Sequence, residues 1–408
     1  MSSKRRLDEA ERWRKVVVWS IAAFAGTLPF SHVPAQIALG IGAIGWVVWS
    51  VRSGRANIVG EAFFIPALIY WTWNILASAV SERPSHSLLA LVDNEWPALV
   101  GVLTLWSLRS EGELRSILRV FFVSSGIAML YGIVQTFTGV EWIKGAHLSP
   151  IGGGFYRAVG FSGFYLTFAG FAMTVFFLAS AYALERPSST ARWMVPGLTI
   201  LAILGTFARS VWLAMALLLP FAAWAVSRGK SRMVAVAVGC SVAALVFAVE
   251  PLRDRALSVF DLAQHETRLN LWKTSLAISR AHPVLGIGQD NFTTVFEVFR
   301  VEGFYDTFVH PHNDYLSVLV HGGVPALAAF IGMWVIVLKR GWDSWKRERG
   351  SLTSWIALGG VAALGGFLLS ATFQNYYGTF VNCFNWWFIS GILLTTYHLR
   401  SQSVQSNL

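Results

Sequence analysis

Apolar residues in this chain come in long blocks instead of the alternation of strands or the three-to-four spacing of surface helices. Short polar connectors separate the blocks along most of the sequence. Each block is close to the ~20 residues that a helix needs to cross ~30 Å of hydrocarbon. The pattern predicts an all-α polytopic membrane protein with about twelve spans, at roughly 16–31, 33–51, 60–80, 93–107, 116–138, 160–184, 193–207, 211–227, 233–249, 315–338, 353–372 and 379–398. The span over 93–107 opens with two acids, Asp93 and Glu95. Those over 193–207 and 211–227 are divided only by a turn around Ala208, Arg209 and Ser210. With no internal repeat, low-complexity tract or soluble domain, residues 1–408 read as a single integral membrane domain.

One connector is out of scale. Residues 250–314 form a polar stretch where most other connectors are short. Loops of that length are uncommon in compact proteins and are often functional. Its first half, PLRDRALSVFDLAQHETRLNLWKTSLAISRAHP, has apolar residues near helical spacing until His282-Pro283 ends the run. In that register Arg268, Trp272 and Ser275 share one face. GIGQDNF then reads as a turn, and the aromatic residues that follow (Phe292, Phe296, Phe299, Phe304 and Tyr305) suit anchoring at a membrane surface, or bracketing of sugars or lipid. A second loop, GVEWIKGAHLSPIGGGFYRAVG, carries Gly152, Gly153 and Gly154 and is expected to be flexible there.

Charge sets an orientation. Only 13% of residues are charged, against ~25% in a soluble domain. With twelve spans both termini share one side, and that side holds 22 of the 32 Lys and Arg. Six of the remainder lie in the long loop, which the positive-inside rule discounts. Both termini are therefore expected in the cytoplasm and the long loop on the opposite face. The net charge of +10 follows from this asymmetry; it suits anionic headgroups of membrane lipids and gives no reason to invoke nucleic acid. The first span has a basic flank but a poor cleavage site in TLPFSHVPA, and reads as an uncleaved signal-anchor. Cys240 and Cys383 fall inside expected spans as small packing residues, without disulfide or metal spacing.

The candidate chemistry concentrates in HPHNDYLSVLVHGG, which begins at His310. His312 and Asn313 sit at the mouth of a span, and Asp314 is placed to cap its first turn. An imidazole there can serve as a general base, or simply as an interfacial histidine. His310, Asn313, Asp314 and Trp272 are candidate supports. His310 and His312 also resemble a chelate, but the next histidine, His321, follows His312 by nine residues. At ~100° per residue that is the opposite face of a continuous helix, so no metal and no other cofactor is expected. Gly322-Gly323-Val324-Pro325 reads as a close-packing and kink site. Arg209, between two apolar runs, is costly at that depth unless it is functional or snorkels to the headgroups. Arg157 and Arg268, unremarkable as surface residues, add two more fixed charges on the side of His312. Three guanidiniums suit a pyrophosphate, which they grip through paired hydrogen bonds. Phosphate-loop and dinucleotide fingerprints are missing, as is a DxD pair. Arginines would then supply the positive charge that a metal supplies elsewhere.

Four stretches in order, FYRAVGFSGFYLTFAGF, TFARSVWLAM, TRLNLWKTSLAISRAHPVLGIGQDNF and HPHNDYLSVLVHGGVPAL, resemble the successive signatures of the O-antigen ligase/polymerase superfamily. The resemblance runs from about residue 155 to about 327 and leaves the N-terminal third matched only in hydropathy. It implies a metal-independent, inverting glycosyltransferase of the bacterial inner membrane with GT-C-like architecture and a periplasmic active site. Its donor would be O-antigen on undecaprenyl pyrophosphate and its acceptor lipid A–core. His312, Asn313 and Gly323 match the ligase pattern, whereas Ala326 departs from it at the last position. The family's essential arginines map to Arg209 and Arg268, and more loosely to Arg157. An O-antigen polymerase or an O-linked protein glycosyltransferase would use the same donor. A transporter or flippase of an anionic lipid is a reading from a different class.

Overall fold

The computed structural model describes residues 3–226, 240, 244, 246–258, 266–305, 310–347 and 349–405. It is helical apart from two small hairpins. The N-terminal half contains α1 (Ser3–Thr27), α2 (His32–Ser53), α3 (Phe64–Ala79), α4 (Pro84–Glu95), α5 (Ala98–Ser107), α6 (Glu111–Thr138), α7 (Tyr165–Glu185), α8 (Thr190–Thr206) and α9 (Arg209–Val226). The long loop holds α10 (Glu250–Leu257), α11 (Glu266–Ala281) and α12 (Phe292–Phe299). Then come α13 (Asp314–Arg347), α14 (Leu352–Ser370) and α15 (Phe380–Gln405). A helix stands at eleven of the twelve expected spans, and the other, 233–249, falls almost wholly outside the described residues. By length and composition six described helices can cross a membrane: α2, α6, α7, α9, α13 and α14. The bent pair α4–α5 makes a seventh. This is a multi-pass membrane protein.

Burial follows composition. Helix α7 is apolar all round and lies at the centre of the bundle, packed on α8 and α14. Helix α2 is peripheral and turns Ile37, Ile41 and Ile44 outward. The sequence places the start of the fourth span at Asp93; instead α4 begins at Pro84 and meets α5 at a 41° bend. Pro97 supplies the bend, because its ring cannot sit under a continuing helix and it has no N–H to donate. Glu95 lies at the bend with its carboxylate inside the bundle. It accepts hydrogen bonds from Tyr70 Oη (3.0 Å), Trp71 Nε1 (2.9 Å) and Tyr377 Oη (2.9 Å), which offsets its desolvation.

The end of the bundle that carries the chain termini is tied by ion pairs between connectors. Arg14 bonds Glu113 and the Ser107 carbonyl, Arg115 and Arg192 share Glu185, and Arg340 and His398 share Glu61. At the other end, β1 (Val140–Glu141) pairs with β2 (Ala146–His147), and β3 (Pro150–Gly152) with β4 (Phe155–Tyr156). The glycine triplet is therefore an ordered turn instead of a loose segment. All three glycines take positive φ (116°, 59° and 77°), a backbone region that favours glycine.

Helix α13 is broken at Gly323 (φ 71°, ψ −172°), two residues before Pro325. The break frees backbone groups, and the loop after α11 satisfies them. Ile287 N–H donates to Val320 O, Gly288 N–H to His321 O, and Val324 N–H to Pro283 O, each at 2.9 Å. A Cβ on Gly323 would strike the Val284 and Pro283 carbonyls. The kink thus docks the long loop. Phe292 and Phe296 pack with Leu271, Ile278 and Val320 in a small core under it. They are not surface anchors; of the five loop aromatics only Phe304 is strongly exposed.

The N-cap of α13 is Asn313 and not Asp314. Asn313 Oδ1 accepts the Leu316 N–H at 3.0 Å. Asp314 is buried, and its carboxylate accepts the backbone N–H groups of Tyr376 (3.0 Å) and Tyr377 (3.1 Å), while its own N–H donates to Ala371 O at 2.9 Å. It fastens the α14–α15 connector to the His310–Asn313 turn. Asp314→Ala leaves two buried donors without an acceptor, at ~1–3 kcal/mol each. Thermal or denaturant unfolding in detergent is expected to show a loss of about 2–4 kcal/mol, well beyond that of Ser351→Ala at an outer cap.

Candidate active site

The turn before α13 is fixed at three points. Trp272 Nε1 on α11 donates to the Pro311 carbonyl at 3.0 Å, and Asn313 caps the helix. His312 takes a left-handed backbone conformation (φ 48°), uncommon for a residue with a side chain, and its N–H donates to His310 Nδ1 at 3.2 Å. That bond makes His310 Nδ1 an acceptor, so in the neutral ring the proton sits on Nε2. The two rings lie 3.8 Å apart between centroids, and His312 Nδ1 is buried with no hydrogen-bond partner among the described residues.

Both imidazoles are held neutral. Burial pushes the His312 pKa down, with His310 and the Arg268 charge adding to it, to about 3. Burial and then Arg268 lower that of His310. A depressed imidazole pKa means the neutral, proton-accepting form persists through the physiological range and the ring is protonated only in strong acid.

Arg268 is one of four arginines that gather at this end from four segments. Arg157 follows β4, Arg209 opens α9, Arg255 lies on α10 and Arg268 on α11. Arg157 lays its guanidinium over the Tyr165 ring, 4.3 Å from the centroid, and its Nε is buried without an acceptor among the described residues. Arg209 Nη1 donates to Ser258 through both the carbonyl and Oγ, the latter at 2.9 Å. Arg255 Nε donates to the Phe207 carbonyl at 3.2 Å. Burial, then the charges of Arg209, Arg157 and Arg268, lower the Arg255 pKa to about 10. Burial also lowers that of Arg268, partly offset by Tyr165 and Tyr376. Among the described residues no carboxylate forms an ion pair with Arg157, Arg255 or Arg268. Tyr376, held by Asp314, lies between these groups, with its hydroxyl beside that of Ser210.

His310 also forms part of the wall of a cavity of about 180 Å³, lined by Asn94, Gln289, Asn375, Asp290 and Tyr377 among others. His310 therefore touches both the cavity and, through its ring, His312. His321 lines this cavity on the same face of α13 as Asp314 and Ser317, in keeping with its separation from His312.

Residues 196–331 match the family model described as O-antigen ligase. The match covers about a third of the chain and is consistent with an O-antigen ligase/polymerase family member. No curated protein matches the chain. The matched segment contains Arg209, Arg255, Arg268, Trp272 and the whole His310–Asp314 turn, and leaves Arg157 outside.

Of the candidates named from sequence, Arg157, Arg209 and Arg268 act together on Arg255, and Arg268 also acts on His310 and His312, with Trp272, Asn313 and Asp314 holding the turn. Arg255 and Tyr376 were not anticipated. The signal for Arg255 was its place one turn after Leu252, which is buried, so both face inward from α10. Tyr376 carries no local signal in FQNYYGT. Labelled-histidine NMR of the free protein is expected to show His312 unprotonated to below about pH 5. Arg268→Gln, by removing a positive neighbour, is expected to move its midpoint upward.

Proposed function

We propose that this chain is an inverting, metal-independent glycosyltransferase that moves O-antigen polysaccharide from undecaprenyl pyrophosphate to a terminal sugar of lipid A–core. The observation that carries the reading is the convergence of four arginines, three of them without a carboxylate among the described residues, beside two neutral imidazoles. Buried like charges without counter-ions are unstable alone and are stabilised by a polyanion. A pyrophosphate supplies that charge in a form that guanidiniums bind by paired hydrogen bonds.

In the proposed reaction Arg157, Arg209, Arg255 and Arg268 hold the two phosphates. The acceptor hydroxyl attacks the anomeric carbon from the face opposite the phosphate. As the new C–O bond forms, the sugar–phosphate bond breaks and undecaprenyl pyrophosphate leaves with the electron pair. The arginines stabilise its growing charge. His312 takes the hydroxyl proton through an imidazole nitrogen. His310 fixes the His312 backbone, and Trp272 and Asn313 fix the turn. The carboxamide-lined cavity beside His310 suits the acceptor sugar, whose hydroxyls need donors and acceptors at close range. The twelve-span topology, both termini in the cytoplasm and the site at the periplasmic face of the inner membrane, puts donor and acceptor lipids on one side, within one membrane domain. A polymerase or protein glycosyltransferase differs only in what enters that cavity. Formation of a new glycosidic bond separates all three from a transporter.

Reconstituted with lipid-linked glycan and lipid A–core, His312→Ala is expected to lose transfer by at least about 100-fold while still retaining the donor lipid. Normal turnover by that variant removes the base from the mechanism. Arg255→Ala is expected to weaken donor retention, as are Arg209→Ala and Arg268→Ala, and EDTA is expected to change nothing. Donor binding neutralises the Arg268 charge and so raises the His312 pKa, while burial still holds it below its ordinary value. The acid limb of kcat is therefore expected at higher pH than that of kcat/KM.

A further inference from the structure

A second cavity, of about 280 Å³, opens at the far end of the bundle from the arginine pocket. Helix α7 connects the two: Tyr165 at its start lies under Arg157, and Tyr182 near its end lines this groove. Seventeen residues at 1.5 Å each separate them by roughly 25 Å. The groove runs between α6, α7 and α8. Its walls are apolar, from Phe122, Val123, Ala179 and Val195, with Phe122 and Tyr182 in ring contact at 5.3 Å on its floor. Small residues make the room, since Ala179 and Ala191 leave the space that larger side chains would fill. It is open toward the outside of the bundle, where Val123 (64% exposed) and Met194 (63%) face what would be hydrocarbon.

Its polar end is built of arginine. Arg119 is exposed, and its Nε reaches Tyr182 Oη at 3.4 Å. Arg192 stacks on the Tyr182 ring at 4.2 Å and bonds both Glu185 (2.6 Å) and the Tyr182 carbonyl (3.0 Å). Arg115 bonds both oxygens of the same Glu185, at 2.9 and 2.7 Å. Two of the three guanidiniums thus share one carboxylate, Glu185, and the third, Arg119, reaches only the Tyr182 hydroxyl among the contacts at this groove. The excess positive charge stands at the mouth of an apolar trough in the flank of a membrane bundle.

We propose that this groove binds one anionic phospholipid, its phosphodiester held by Arg119 with Arg192 and part of one acyl chain lying over Phe122 and Ala179. The pairing of charged head and apolar trough is what recommends a lipid over a free phosphate, which would leave the trough empty, or an apolar helix, which would leave the arginines unmatched. Basic pockets between spanning helices take anionic headgroups on these grounds, at about 1 kcal/mol per arginine, or roughly fivefold in affinity. The site is distinct from the arginine pocket and does not depend on the transferase reading.

The test is native mass spectrometry of the full chain released from detergent with equal phosphatidylglycerol and phosphatidylcholine. The unmodified protein is expected to retain the anionic lipid about fivefold over the zwitterionic one. Arg119→Ala, exposed and so compatible with folding, is expected to bring the ratio close to one. Ala191→Phe is expected to reduce retention of both lipids by filling the trough, and Arg268→Ala to leave the ratio unchanged. Melting curves in lipid-free detergent confirm that each variant is folded. Equal retention of the two lipids by the unmodified protein, an unchanged ratio in Arg119→Ala, or displacement of phosphatidylglycerol by undecaprenyl phosphate would each overturn the assignment.

Discussion

The site hangs on one buried carboxylate. Asp314 accepts two backbone N–H groups from the α14–α15 connector while its own N–H is bonded back to Ala371. This fixes the mouth of α13 against an element some sixty residues away in sequence. A carboxylate at the edge of a bilayer is costly to bury, and that cost is offset only where fixed donors surround it. The fold provides those donors from backbone, which cannot rotate away. His312 inherits this rigidity, because its neighbours on both sides are pinned, at Pro311 by Trp272 and at Asn313 by the helix cap.

On that frame the protein assembles a charge distribution that is unfavourable in isolation. Arg157, Arg209 and Arg268 raise the cost of Arg255, as its lowered pKa shows, and burial, with the Arg268 charge adding to it, holds the adjacent imidazoles neutral. The two consequences serve the proposed reaction together. The repulsion favours entry of a polyanion, and the neutral His312 is already the form that accepts a proton. When the anion arrives the field weakens and the imidazole becomes a stronger base, so binding and activation are linked through Arg268.

Much of this was legible in the residues. Apolar block length reports directly on whether a helix suits hydrocarbon, and helices stand where the blocks lie. The arginines and histidines stood out because charge within an apolar protein is expensive. What was not legible depended on partners remote in sequence. Asn313 and Asp314 are equally good capping residues, and only the Tyr376 and Tyr377 N–H groups decide between them. The bend at Pro97 was foreseeable, but the start of α4 at Pro84 was masked by the polar PSHS. The aromatics of FTTVFEVF read as surface anchors because their cover, Leu271 and Val320, comes from two other helices. Arg255 sat beside Arg253 with nothing but helical phase to separate an inward from an outward arginine.

The direct test of the account is a structure of the full chain in lipid with a non-hydrolysable polyprenyl pyrophosphate sugar bound. The account predicts both phosphates among Arg157, Arg209, Arg255 and Arg268, with the anomeric carbon turned toward His312 and its far face open to the cavity at His310. Phosphates seated away from those arginines, or a sugar carbon pointing away from His312, would contradict it.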